Sequence, residues 1–224
     1  MNEMYYKELA AQTSPWFHFM VGTVLLLTTT LSATINGSLL YLFFIKDHKL
    51  LNRTNIHICF VCVIAFLMTG TAIPMAIISS FGKQWTFGNT GCVYYGFIMT
   101  FCGTATIFIL SMFAVDRYIL VEFYCLDGKS LKHFSKLSII GSCLISLILA
   151  ICPLIGWNQY TYDGVGTACG PDLTGGNTYA RAYLITLIIM AFVFPVVTMI
   201  FCFTRIFIKV SCNWIYFCLD SWIS

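Results

Sequence analysis

Charged side chains divide this 224-residue chain into five long uncharged windows, residues 9–45, 54–82, 84–115, 137–162 and 182–204. Each has room for the roughly 20 residues that a helix needs to cross a bilayer. The pattern predicts five transmembrane helices, at about 17–44, 55–81, 90–122, 137–157 and 180–209. Pro74 falls inside the second and Pro195 inside the fifth, where a missing backbone donor kinks a helix. Pro153 is expected to end the fourth. Residues 1–16 are polar and mixed, and the apolar run after them is too long for a signal-peptide core, so they read as an extracellular N-terminal segment. Residues 211–224 are apolar and aromatic where a polar, basic loop is expected, yet too few to span. They read as an aberrant tail, either interfacial or, the preferred reading, translated intron or frame-shifted sequence.

Composition settles the broad class. The chain is 59% hydrophobic and 9% charged, against about 25% charged in a soluble domain, so it is an integral membrane protein with the lipid bilayer as its partner. Lys46, Lys49 and Arg53 follow the first window, Arg117, Lys129, Lys132 and Lys136 follow the third, and Arg205 and Lys209 close the fifth. The positive-inside rule therefore puts the N-terminus outside. The net charge of +3 comes from these cytoplasmic anchors and gives no sign of nucleic-acid binding. His18 and His57, inside the windows, read as interfacial side chains. No nucleophile–base pair, metal-ligand spacing or Gly-rich phosphate loop is evident, so the chain does not read as an enzyme or a metal site.

The third window is the most informative. It ends on Asp116-Arg117-Tyr118, and near its start Cys92 follows Trp85-Thr86-Phe87-Gly88. From Cys92 to Arg117 one helix rises ~37 Å at ~1.5 Å per residue, which places the cysteine on one side of the membrane and the triplet on the other. Of the eleven cysteines, Cys59, Cys62, Cys102, Cys143, Cys152 and Cys202 lie within helices, and Cys125, Cys212 and Cys218 on the cytosolic side. Only Cys92 and Cys169 fall in the oxidising compartment, and a disulfide between them would tie the 158–180 loop to the top of the third helix.

Taken together, these features resemble a rhodopsin-like (family A) G-protein-coupled receptor, and within that family an opsin. The resemblance covers about residues 17–210, or five of the family's seven helices. Asn36 looks like the family's helix-one asparagine, Asp116-Arg117-Tyr118 its G-protein-coupling triplet, Cys92 and Cys169 its extracellular disulfide, and Pro153 and Pro195 its helix-four and helix-five prolines. Pro153-Leu154-Ile155-Gly156-Trp157 resembles the opsin helix-four end, and Gly166-Thr167-Ala168-Cys169-Gly170-Pro171-Asp172 the opsin loop that lids the ligand. Asp163, six residues before Cys169, stands where many opsins carry an acidic counterion. Tyr95 replaces the glutamate of vertebrate visual pigments. The resemblance puts Gly96, Met99, Thr100, Gly103, Ala191 and Phe192 along the retinal pocket.

Departures accompany the match. The helix-two aspartate is replaced by Ala65, the helix-four tryptophan by Cys143 and the helix-five tyrosine by Phe203. The lysine that carries retinal as a Schiff base belongs to a seventh helix, and none of Lys7, Lys46, Lys49, Lys83, Lys129, Lys132, Lys136 and Lys209 lies inside a window. The expectation is an all-α membrane bundle of five transmembrane helices from a seven-helix receptor, truncated after helix five. Its full-length form would be a retinal-binding photoreceptor at the plasma membrane that couples to a heterotrimeric G protein. The fragment itself would hold no covalent retinal and would be retained in the endoplasmic reticulum. Two alternatives stay open: a family A receptor for another small ligand, against whose amine-binding version Met99 speaks, and a non-signalling form that pairs with full-length receptors as a receptor dimer.

Overall fold

The computed structural model describes residues 13–46, 55–122, 128–163, 165–174 and 176–223, with the side chains of 128–132 and 212–223 excepted. Most of the N-terminal segment, Lys49, Arg53 and Cys125, and the side chains of Lys129, Lys132, Cys212 and Cys218, lie outside the described residues. The helices are α1 (Pro15–Tyr41), α2 (Ile56–Thr71), α3 (Ile73–Phe81), α4 (Gly88–Glu122), α5 (Gly128–Ile151), α6 (Thr178–Ile188) and α7 (Phe194–Ile223). Among the described residues they make five spans long and apolar enough to cross a membrane: Pro15–Lys46, Ile56–Phe81, Gly88–Glu122, His133–Ile155 and Thr178–Ser211.

The prolines act where the sequence places them. Pro74 follows the break between α2 and α3, where the Met75 N–H turns to the Ala72 carbonyl at 3.0 Å. Pro195 follows a π-turn, Ile189–Val193, that separates α6 from α7; a widened turn is one way a helix absorbs a missing donor. At Pro153, α5 tightens into a 3₁₀ turn, Cys152–Ile155, and stops at Gly156 with φ +95°, a left-handed position suited to glycine. The change frees two carbonyls. Proline cannot donate to Leu149, and a 3₁₀ turn moves the Leu154 donor away from Ala150. Two tyrosines replace them: Tyr183 donates to the Leu149 oxygen at 3.0 Å and Tyr160 to the Ala150 oxygen at 2.8 Å. Burial pushes the Tyr160 phenol up to about 12, partly offset by its bond with Thr100, so it remains a donor at neutral pH. The start of α6 is capped by Asn177, whose side chain accepts from Ala180 N–H at 2.7 Å.

The third span, α4, is the centre of the bundle. It packs against α2, α5 and α7, and its outer end meets a hairpin of β1 (Tyr160–Tyr162) and β2 (Cys169–Pro171). The hairpin is antiparallel, with Tyr160 opposite Pro171 and Tyr162 opposite Cys169. One buried cluster joins Ala72, Ala76, Trp85, Cys92, Tyr95 and Cys169 at the outer end; a second, deeper one joins Ile64, Cys102, Ala105, Ile109 and Ile139. Spans one and five are the most exposed, with 11% of their core windows buried. His18 and His57, both near helix ends, are each 1% exposed.

Candidate functional site

At the outer end, Cys92 and Cys169 form a disulfide with Cα atoms 5.4 Å apart, across 77 residues of sequence. It pins β2 to α4. Trp85 completes the joint: its backbone N–H donates to the Gly166 oxygen at 2.8 Å, its indole N–H to the Gly88 oxygen at 2.9 Å, and its ring meets Tyr95 edge-on at 5.4 Å. Between β1 and β2, Asp163 organises the turn. Its Oδ1 accepts from the backbone N–H groups of Val165, Gly166, Thr167 and Ala168, at 3.2, 2.8, 3.3 and 3.4 Å. The same carboxylate lies within electrostatic range of Tyr95. Asp172, just past β2, is buried. Burial opposes its ionisation, but bonds from Thr174 and Gln159 outweigh that and hold its carboxyl below the usual carboxylate range.

The expected pocket residues divide into three groups. Tyr95 is buried, and Met99 packs against the cluster that holds it. Gly96 lies under Tyr160 so closely that a Cβ there would sit 2.5 Å from that ring, and Thr100 bonds the Tyr160 side chain. These four are brought together beneath the hairpin. Gly103, one turn deeper than Thr100, has open space where a side chain would go. Ala191 is buried in the π-turn of the fifth span, whereas Phe192 is 64% exposed and does not join the group among the described residues.

At the inner end Asp116 is 1% exposed and accepts the Ser135 hydroxyl at 2.7 Å; its other oxygen is 3.5 Å from Arg117 Nη2. Arg117 also lies over the Phe113 ring, 4.6 Å from its centroid, and Tyr118 meets Phe201 of α7 edge-on. Glu122 holds α7 to α4 through Lys209 at 3.3 Å and Arg205 at 3.9 Å. Asn36 bonds within its own helix, to the Ser32 carbonyl at 2.8 Å. Pro153 and Pro195 are buried.

Sequence reasoning missed Ser135, Ser138, Tyr160 and Tyr183. A signal for the serines existed. Ser135, Ser138, Ser142 and Ser146 recur every three or four residues along an apolar span, the spacing of small polar residues on a helix–helix seam.

Residues 36–213 match the family described as 7 transmembrane receptor (rhodopsin family). The chain belongs to that family. Within it the chain is opsin-like. It is 31% identical to the melanopsin of Phodopus sungorus over 191 residues, 85% of this chain and 40% of that protein. It is 30% identical to the rhodopsin of Loligo forbesii over 196 residues, 87% of this chain and 42% of that protein. The crystal structure of squid rhodopsin superposes with a TM-score of 0.80 at 27% identity, covering 89% of this chain and 57% of that one. The opsin-like chain therefore spans about two fifths of the length of these curated relatives.

Whether these residues fit retinal has two answers. Tyr95, Met99, Thr100 and the open space at Gly103 can form one wall of an apolar pocket. Among the described residues, no lysine is placed as a covalent anchor. Among the described lysines, Lys46, Lys83 and Lys136 are exposed, and Lys209 is held by Glu122 at the inner end.

Proposed function

We propose that this chain supplies the first five helices of a light-sensing receptor that binds retinal and couples to a heterotrimeric G protein at the plasma membrane. The observation that carries the reading is its alignment with melanopsin and rhodopsin over 85–87% of its length. The opsin-like outer end agrees: a disulfide-pinned hairpin covers Tyr95, Gly96 and Thr100. In this reading retinal rests against that wall and Gly103, with Ala191 and Phe192 contributed by the fifth span. Asp163 serves as the Schiff-base counterion, because an unpaired protonated imine in a low-dielectric site loses its proton. Its Oδ1 also ties the turn, so counterion and hairpin geometry are set by one side chain. Light acts by changing the ligand's fit to two receptor states, and Arg117 is the contact for the G protein.

The test is light-dependent nucleotide exchange. The chain is co-expressed with the sixth and seventh helices of squid rhodopsin, supplied with cis-retinal, and mixed with G protein in the dark and under illumination. The expected result is exchange that rises in light and is lost in Arg117→Ala. Equal exchange in light and dark, from an assembled complex, overturns the reading.

A further inference from the structure

His57 has no place in the reading above, yet it is among the most completely buried side chains of the second span. Its Nε2 lies 3.2 Å from Ser138 Oγ on α5. Ser138 donates its own hydroxyl proton to the Ser135 carbonyl at 2.9 Å. With the hydroxyl proton in that bond, the Ser138 oxygen accepts from the ring, and we assign the His57 proton to Nε2. One turn earlier on α5, Ser135 donates to Asp116 Oδ1 at 2.7 Å. Asp116 in turn faces Arg117. The His57 ring also meets Phe113 edge-on at 5.9 Å, and Phe113 carries the Arg117 guanidinium on its face. One imidazole from the second span thus touches both supports of the ion pair: the Ser135–Ser138 turn of the fourth span and the Phe113 ring of the third.

We propose that His57 is a positioning residue for the Asp116–Arg117 pair. Through its Nε2–H bond to Ser138 it fixes the turn of α5 that presents the Ser135 hydroxyl to Asp116. The importance of the pair rests on the reading of Arg117 as the coupling arginine; the geometry itself concerns this chain alone. Without the bond, Ser138 keeps only its contact within its own helix. That removes one described polar link from the second span to the fourth and loosens the turn that presents the Ser135 hydroxyl to Asp116. A histidine that merely filled space would be replaced by phenylalanine without consequence at Asp116.

The experiment uses the full 224-residue chain in lipid nanodiscs, labelled with ¹³C at aspartate carboxylates and ¹⁵N at histidine rings. Asp116→Asn and His57→Gln assign the two signals. At neutral pH the His57 ring is expected with its proton on Nε2. Ser135→Ala displaces the Asp116 carboxylate signal by removing its donor. His57→Phe and Ser138→Ala displace it in the same direction by at least half as much. His57→Gln, whose amide N–H reaches the place of Nε2–H, restores it. Ser138→Ala keeps the imidazole volume and so tests the bond even where His57→Phe fails to fold, with the Cys92–Cys169 disulfide as the folding check. An Nδ1–H tautomer overturns the proposal. So does an Asp116 signal unmoved by Ser135→Ala, or one moved by Ser135→Ala but not by Ser138→Ala, or one displaced as far by His57→Gln as by His57→Phe. No retinal, light or G protein enters these measurements. Failure of the photoreceptor reading would appear in assays with retinal and light, and failure of this proposal only here.

Discussion

Tyr183→Phe tests the way the fourth span ends. The substitution keeps the ring, its complete burial and its edge contact with Trp157 at 5.9 Å, and removes only the hydroxyl that donates to the Leu149 oxygen. A buried acceptor left without its donor costs about 1–3 kcal/mol in soluble proteins. Polar pairs measured inside membranes average about 0.6 and reach about 1.7 kcal/mol. Because Tyr183 lies near the outer boundary, a loss of about 1 kcal/mol is expected, roughly a fivefold change in the folding equilibrium. The decisive variant is the double one. Pro153→Ala returns an N–H four residues after Leu149, so it supplies the donor that the tyrosine replaces. In that background Tyr183→Phe should cost about 0.5 kcal/mol less, since two donors to one carbonyl are not additive. The assay is reversible unfolding in mixed micelles followed by tryptophan fluorescence. Strict additivity of the two changes, or a neutral Tyr183→Phe, refutes the idea that Pro153 and Tyr183 share one carbonyl.

Three further outcomes follow from the outer end. Cys92→Ser opens a loop of 77 residues, and loop-closure entropy puts the loss at about 4–5 kcal/mol; non-reducing peptide mapping should find Cys92 and Cys169 joined in the native chain and Cys169 alone in the variant. Gly96→Ala places a methyl 2.5 Å from the Tyr160 ring and should destabilise by about 1–3 kcal/mol, with much of that relieved by adding Tyr160→Leu in the same unfolding assay. The depressed carboxyl of Asp172 contributes stability that is fully present above the unfolded value of about 3.9 and is lost as pH falls through the lower folded value; Asp172→Asn should be less stable than the native chain at neutral pH, with the difference closing under strong acid.

Much of this architecture is legible because membranes impose it. A charge-free window long enough to span leaves little choice but a helix, and all five spans lie within a few residues of where the windows put them. The disulfide is legible for a related reason: sidedness leaves only Cys92 and Cys169 in an oxidising compartment. What stayed hidden depends on pairs distant in sequence. Tyr160 and Tyr183 are two among many aromatic residues, and nothing local says that their hydroxyls meet carbonyls released at Pro153. His57 looks like any helix-end histidine until Ser138, from another span, comes within 3.2 Å. Phe192 is the opposite case. Resemblance puts it on a pocket wall, while the five described spans leave it 64% exposed.

The most direct test of the photoreceptor reading is an absorption spectrum. The chain is assembled with the sixth and seventh helices of squid rhodopsin, regenerated with cis-retinal in the dark, and purified; the matching half of squid rhodopsin with the same helices serves as the positive control. The predicted result is a visible band that is lost on illumination, is trapped covalently by borohydride, and is absent from this chain alone. A control that forms its band while this chain, folded and assembled with the same helices, forms none would contradict the claim that Tyr95, Gly96, Met99, Thr100, Gly103 and Asp163 belong to a retinal pocket.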